Sequence, residues 1–191
     1  MNENAMSESV MSESVMSESA MSESVMNEST VSKSIKNGEA HRLCIFTKEE
    51  PKTQAVSFID CVLGKGVQGD RFALGGERQV SLLDGSSKFL RAQSLLPAGQ
   101  QGLCVKRFKG NIEIINMDFA MLKTGDVLSI GGTMLQISEG GKRCYGSQCV
   151  LYRQSERCPA LVGQRFATVQ QSGTIFLQNK VEKITENERL L

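Results

Sequence analysis

The chain has 191 residues, 40% of them hydrophobic, with 22 basic against 21 acidic side chains and a formal charge of +1, which leaves room for one ordinary domain with a real core, plus a tail. No run of roughly eighteen apolar residues occurs, and the N-terminus has neither a positive nor an apolar leader region, so a membrane-spanning helix and a signal peptide are excluded and a cytoplasmic protein is predicted. In that compartment the six cysteines are expected to be thiols with catalytic, metal-binding or packing roles rather than a disulfide framework.

Residues 1–38 form an acidic tail built on a five-residue repeat, Met6-Ser-Glu-Ser-Val10 through Met21-Ser-Glu-Ser-Val25, with degenerate copies to Ile35. A period of about five matches neither the 3.6 of a helix nor the 2 of a strand, and the Ser/Glu content predicts disorder. The first 30 residues carry six glutamates and no Lys or Arg, so residues 31–191 hold 22 basic and 15 acidic side chains, a net +7. Such a body suits an anionic ligand. Few aromatics, no Trp and no Lys/Arg block argue against nucleic acid, and no membrane partner is expected.

Residues 39–185 read as one domain, followed by a short C-terminal tail, 186–191. Alternating apolar residues broken by glycine predict strands at Arg42–Thr47, Gln54–Phe58, Gln79–Leu83, Ile112–Met117, Val127–Ile130, Met134–Ser138, Phe166–Val169 and Thr174–Leu177. Gly131-Gly132 reads as a tight hairpin. Ser86 or Ser87 caps a short helix running to about Leu95 and stopped by Pro97, and a second helical stretch covers Val150 to Arg157, stopped by Pro159. Short strands with regular turns and little helix predict a mostly β fold, a closed or nearly closed β-barrel.

The chemistry concentrates in Gly141-Lys142-Arg143-Cys144-Tyr145-Gly146-Ser147-Gln148-Cys149, followed by Cys158. Three of the six cysteines fall within fifteen residues. A thiol acts as nucleophile, ligand or sulfur carrier as the thiolate, and Lys142 and Arg143 favour that form at Cys144. Cys44, Cys61 and Cys104 read as packing. Upstream, Gly66-Val-Gln-Gly69-Asp70-Arg71 is a loop with an acid and a base at its end, Arg78 opens the strand Gln79–Leu83, and Asn111 follows a glycine at a strand entrance. Arg71, Arg78, Lys142 and Arg143 can supply charge to a phosphate, and Asn111 either hydrogen-bonds a heterocycle or caps a turn. Asp70 with Arg71 or Arg78 equally reads as a loop-fixing ion pair.

The order Gly69-Asp70, Arg78-Gln-Val-Ser-Leu-Leu83, Gly110-Asn111-Ile112, Leu122-x-x-Gly125-Asp126 with Ile130-Gly131, then Lys142-Arg143-Cys144 resembles the MOSC domain, the C-terminal domain of molybdenum-cofactor sulfurases, over roughly residues 42–182. The Cys144, Cys149, Cys158 arrangement is similar to that of short stand-alone MOSC proteins of anaerobic bacteria. The resemblance implies a barrel-like fold and a molybdenum-cofactor or sulfur-handling role centred on Cys144. Asp70, Arg71, Arg78, Asn111, Lys142 and Arg143 would then line the cofactor groove, and Cys144, Cys149 and Cys158 would be the metal-binding thiols. It also implies a molybdopterin-type small molecule or a sulfur donor as partner, and a molybdenum-cofactor biosynthesis protein as a candidate protein partner. The activity would be sulfur transfer or molybdenum-dependent oxidoreduction. Pyridoxal phosphate belongs to the fused desulfurase domain, for which this chain has no room. The chain departs from the anaerobe-type pattern where Arg71-Phe72 and Tyr145 replace histidines, since its single histidine is His41.

Two other readings of the thiols stand beside this one. Zinc would need a fourth ligand from water or from a distant Cys44, Cys61 or Cys104, because the Cys-x4-Cys-x8-Cys spacing lacks the usual Cys-x2-Cys pairs. A thiol redox protein would use Cys144 and Cys149 as a reversible disulfide, and a non-catalytic binding module would use the barrel as scaffold.

Overall fold

The structure is a computed structural model that describes residues 37–47, 53–87, 91–92, 95–97, 100–104, 110–140, 144–154 and 159–185. Their strands are β1 (Asn37–Phe46), β2 (Thr53–Val56), β3 (Phe58–Val62), β4 (Gly66–Val67), β5 (Val80–Asp84), β6 (Ile112–Ile115), β7 (Val127–Ile130), β8 (Thr133–Glu139), β9 (Gln164–Gln171), β10 (Gly173–Phe176) and β11 (Lys180–Ile184). Two short helices, α1 (Val150–Gln154) and α2 (Pro159–Val162), and two 3-10 turns, Phe119–Met121 and Gly146–Gln148, complete the described elements. The expected tail lies outside the described residues up to residue 36, and residues 186–191 lie outside them as well.

Seven strands close a barrel in the order β1-β6-β5-β9-β8-β7-β11 and back to β1, as expected of a mostly β barrel. Closure depends on β1, which is long enough to serve three neighbours. Asn37–Glu39 pair with β11, Glu39–Leu43 with β6 and Leu43–Phe46 with β2, and a register shift between Ala40 and Arg42 places His41 in a bulge. A bulge bends a strand and raises its twist, which a strand passing between neighbours around a barrel corner requires.

Alternation fills the interior. Val80 and Leu82 of β5, Ile112 and Ile114 of β6, Leu128 and Ile130 of β7, Leu135 and Ile137 of β8, and Ala167 and Val169 of β9 join one buried apolar cluster. A second sheet, β10-β3-β4, packs Ile59, Cys61, Val67 and Ile175 into the same core.

Several boundaries differ from the sequence expectation for identifiable reasons. The run Gln54–Phe58 breaks at Ser57 into β2 and β3, which belong to different sheets. Strand β6 stops at Ile115 because Asn116 takes φ +61, a left-handed conformation that ends a ladder. The helix expected over Val150 to Arg157 is described at Val150–Gln154, residues 155–158 lie outside the described residues, and Pro159 starts α2; a first helical residue needs no N–H and favours proline's fixed φ. The Gly131-Gly132 hairpin joins Ile130 to its partner Thr133 as expected, with φ values of +54 and +80 that suit a type I′ turn. The expected helix after Ser86 is described at Arg91, Ala92 and Leu95, and Arg91 donates its backbone N–H to the Ser87 carbonyl at 3.1 Å.

Two long connections position the site. Strands β5 and β6 are parallel neighbours, so the chain cannot join them by a hairpin and must cross over; residues 85–111 make that crossing. Residues 140–163 link β8 to β9, which are themselves antiparallel neighbours. Because β9 also pairs with β5, both connections leave strands in the same part of the barrel wall.

Candidate functional site

The two long connections meet over the outer face of β5. Leu82 points into the barrel core, so Leu83 points out, and there it packs against a satellite cluster formed by buried Cys104, Cys149 and Leu151 with Leu103, Tyr145, Val150 and Leu161. Cys104 and Leu103 come from the crossover and the rest from the cysteine-bearing connection. Cys104, expected to be packing, is buried in this apolar cluster and shares it with Cys149 of the other connection.

Within this segment Cys144 is half-buried and Cys149 buried. Gly146 ties them together: its N–H donates to the Cys144 Sγ at 3.4 Å, and its carbonyl accepts the Cys149 backbone N–H at 2.9 Å. Gly146 sits at φ +59, the left-handed conformation that glycine adopts without steric cost.

The thiol held below its ordinary pKa is Cys149. Burial works to raise it, but backbone groups of Leu103, Tyr152 and Leu151, with the Arg153 charge, outweigh that effect. The expectation placed thiolate stabilisation at Cys144 through Lys142 and Arg143, and both cations, like Cys158, lie outside the described residues. Cys149 directly precedes α1, so backbone N–H groups of the first turn are available to its sulfur. That signal was present in the sequence as the expected helix start at Val150.

A polar strip runs along the same outer face. Asn111 donates from Nδ2 to Asp70 Oδ2 at 2.7 Å and to the Cys44 carbonyl at 3.2 Å, while its Oδ1 accepts the Ser81 hydroxyl at 2.7 Å and the Ser81 backbone N–H at 3.0 Å. Asp70 also accepts the backbone N–H of Phe46 on Oδ2 at 3.0 Å and of Phe72 on Oδ1 at 2.8 Å. The structure therefore brings predicted Asp70 and Asn111 together, each nine-tenths or more buried, in a network that ties β1, the Asp70 loop, β5 and the β6 entrance. Ser81, which sequence reasoning did not single out, is its third member.

Arg78 stands apart from Asp70. Its guanidinium meets Glu139 of β8 at 2.7 Å and lies over the Phe166 ring, 5.0 Å from the centroid. Phe166 is the register partner of Ser81 and Gln164 that of Leu83, so Arg78, Phe166, Ser81, Leu83 and Gln164 follow one another along the outer face. Arg71 lies over the Phe72 ring at 4.6 Å, and its Nε is buried without a hydrogen-bond partner.

Gln164 is fully buried, yet neither its amide nitrogen nor its amide oxygen has a hydrogen-bond partner. Buried amides are normally satisfied, because an unpaired one costs about 1–3 kcal/mol. Neighbouring Arg165 is the opposite case: its buried guanidinium donates to the carbonyls of Phe119, Leu122, Leu161, Val162 and Gln164. Sequence reasoning missed Gln164, whose only signal was a polar residue beginning a strand of buried positions. No group of three His, Cys, Asp or Glu side chains converges as a metal site among the described residues.

No family model matches the chain and no curated protein matches it. Among solved structures it is similar to the YuaD protein from Bacillus subtilis, with TM-score 0.54 and 16% identity over 77% of this chain and 95% of that one. It is also similar to a hypothetical protein, with TM-score 0.52 and 14% identity over 76% and 69%. YiiM from Escherichia coli gives TM-score 0.51 and 13% identity over 80% and 71%. What this chain shares with these structures is the fold, a closed β-barrel.

Proposed function

We propose that this barrel is of the MOSC type and binds molybdenum cofactor, or carries sulfane sulfur, at Cys144, on the outer face of β5 and β9. The observation that supports the reading is the packing of Tyr145, the neighbour of half-buried Cys144, with Leu83 in the satellite cluster, on the strand whose Ser81 bonds the buried Asn111.

The donor set fits such a group. A thiolate is the soft ligand that molybdenum and sulfane sulfur select. The unpartnered amide of Gln164 offers N–H donors and a carbonyl acceptor side by side, which match the edge of a pterin-like heterocycle. Arg71 and Arg78 provide guanidinium groups for a terminal phosphate, and Lys142 and Arg143 flank the thiol in sequence. Asp70 and Asn111 serve the same face by fixing the loop that carries Arg71 and the strand that carries Ser81. When bound, the molybdenum centre supplies two-electron atom-transfer chemistry; the chain's residues bind and orient it.

The test is elemental and intact-mass analysis of protein purified anaerobically from cells supplied with molybdate, wild type beside Cys144→Ser. The expected result is molybdenum, or the mass of one added sulfur, in wild type and neither in the variant. Equal retention by both proteins, zinc in place of molybdenum, or a bare wild-type protein overturns the proposal, and the last outcome favours a non-catalytic binding module of cofactor biosynthesis.

A further inference from the structure

The crossover and the cysteine segment each contribute one buried thiol to the satellite cluster, and both Cys104 and Cys149 are 2% exposed. They lie 45 positions apart in the sequence, and their meeting follows from the parallel β5–β6 pairing that sends the crossover over the barrel wall. The contact is close at the backbone level as well, since the group of Leu103, the neighbour of Cys104, is among those that act on the Cys149 sulfur.

From this juxtaposition we infer that Cys104 and Cys149 form a dithiol site that exchanges with small-molecule disulfides, one thiol attacking and the other resolving. The inference is independent of what Cys144 carries. It also assigns a different pair from the Cys144–Cys149 bridge that the sequence spacing suggests.

The steps balance as follows. The Cys149 thiolate attacks one sulfur of a disulfide RSSR, forming Cys149–S–S–R and releasing RS⁻, which takes up a proton. Cys104 then loses its proton and attacks the Cys149 sulfur, expelling the second RS⁻. Two cysteine thiols are oxidised to one disulfide and RSSR is reduced to two RSH. The same balance holds with the two cysteines exchanged, since both are 2% exposed.

Access and consequence are both legible. The cover over the pair includes Leu103 and Tyr145, which are partly exposed, so a modest local opening admits a small disulfide. Closing the bridge ties the crossover to the residue whose N–H bonds the same Gly146 that holds Cys144. Oxidation therefore fixes the turn on which Cys144 sits.

The experiment is oxidation of the full-length protein with glutathione disulfide, quenching with iodoacetamide and non-reducing tryptic mapping. Trypsin places Cys104 in the peptide 92–106 and both Cys144 and Cys149 in 144–153. The expected product is 92–106 joined to 144–153, with fragmentation placing the link at Cys149 and alkylation at Cys144. The same link should persist in Cys144→Ser and vanish in Cys104→Ser and in Cys149→Ser. A link from Cys104 to Cys144, a link between Cys144 and Cys149, or glutathione adducts with no cross-link in wild type each overturns the inference. Because the wild-type map locates the link directly, a variant that fails to fold does not remove the test.

Discussion

Asn111 donates its side-chain amide to the Asp70 carboxylate at 2.7 Å across 41 residues of sequence, and that bond joins the Asp70 loop to the barrel wall. The same carboxylate accepts two backbone N–H groups, from Phe46 and Phe72. Replacing Asp70 with alanine leaves these donors and the Asn111 amide buried without their acceptor. A loss of about 2–3 kcal/mol in urea unfolding is expected, and Asp70→Asn, which keeps an acceptor oxygen, should lose less. If Asp70→Ala unfolds with the wild-type midpoint, the network does not hold the loop.

Gly66 sits at φ +119, and a Cβ there would lie 2.5 Å from the Gln79 carbonyl oxygen. Both the backbone conformation and the contact exclude a side chain, and the contact is with backbone that leads directly into β5. Gly66→Ala should cost more than about 2 kcal/mol. Gly69, also at positive φ (+78) but with open space around it, should cost about 1 kcal/mol as alanine. Paired thermal melts of the two variants separate the steric contact from the φ penalty, and equal destabilisation would count against the contact.

Much of the barrel was legible because alternation is a local signal. Strand β7 runs over the expected residues and the Gly131-Gly132 turn lies where the dipeptide placed it. Strand β11 was missed because Lys180-Val-Glu-Lys-Ile184 buries Val181 alone among its five residues, so its charged outer face reads as a loop. The satellite cluster was hidden for a different reason: nothing within Val80–Asp84 or Ile112–Ile115 distinguishes a parallel from an antiparallel pairing. Without that pairing, Cys104 has no route to Cys149. The spacing of Cys144, Cys149 and Cys158 drew attention to one connection but not to the other that packs against it.

Arg78 meets Glu139 at 2.7 Å with half of its side chain exposed. Ion pairs in such settings contribute about 0.2–1 kcal/mol, so Glu139→Gln should shift unfolding by less than about 1 kcal/mol. The same change removes the charge that neutralises the guanidinium on the proposed ligand face. Phosphate binding, followed by calorimetric titration, should therefore strengthen in Glu139→Gln and weaken in Arg78→Ala. Identical affinity in the two variants would remove Arg78 from the ligand site.

Cys61 gives the chain a defined alkaline limit. Burial, with a smaller contribution from the Asp60 charge, pushes its pKa from 9.0 to about 12, so the folded protein keeps a proton that the unfolded chain releases. Stability from this group is complete below pH 9 and falls as pH rises toward 12, because the native state there binds more protons than the unfolded state. At pH 10 the loss is about 1.4 kcal/mol, one unit above the unfolded value. Cys61→Ala removes the titrating group and leaves the others in place. Its stability is lower than wild type near pH 8 through the cavity it creates, and the gap should narrow by about 1.4 kcal/mol at pH 10. Urea unfolding of both proteins at the two pH values measures the difference, and a gap that does not change with pH would show that Cys61 ionises in the folded protein as readily as in the unfolded one.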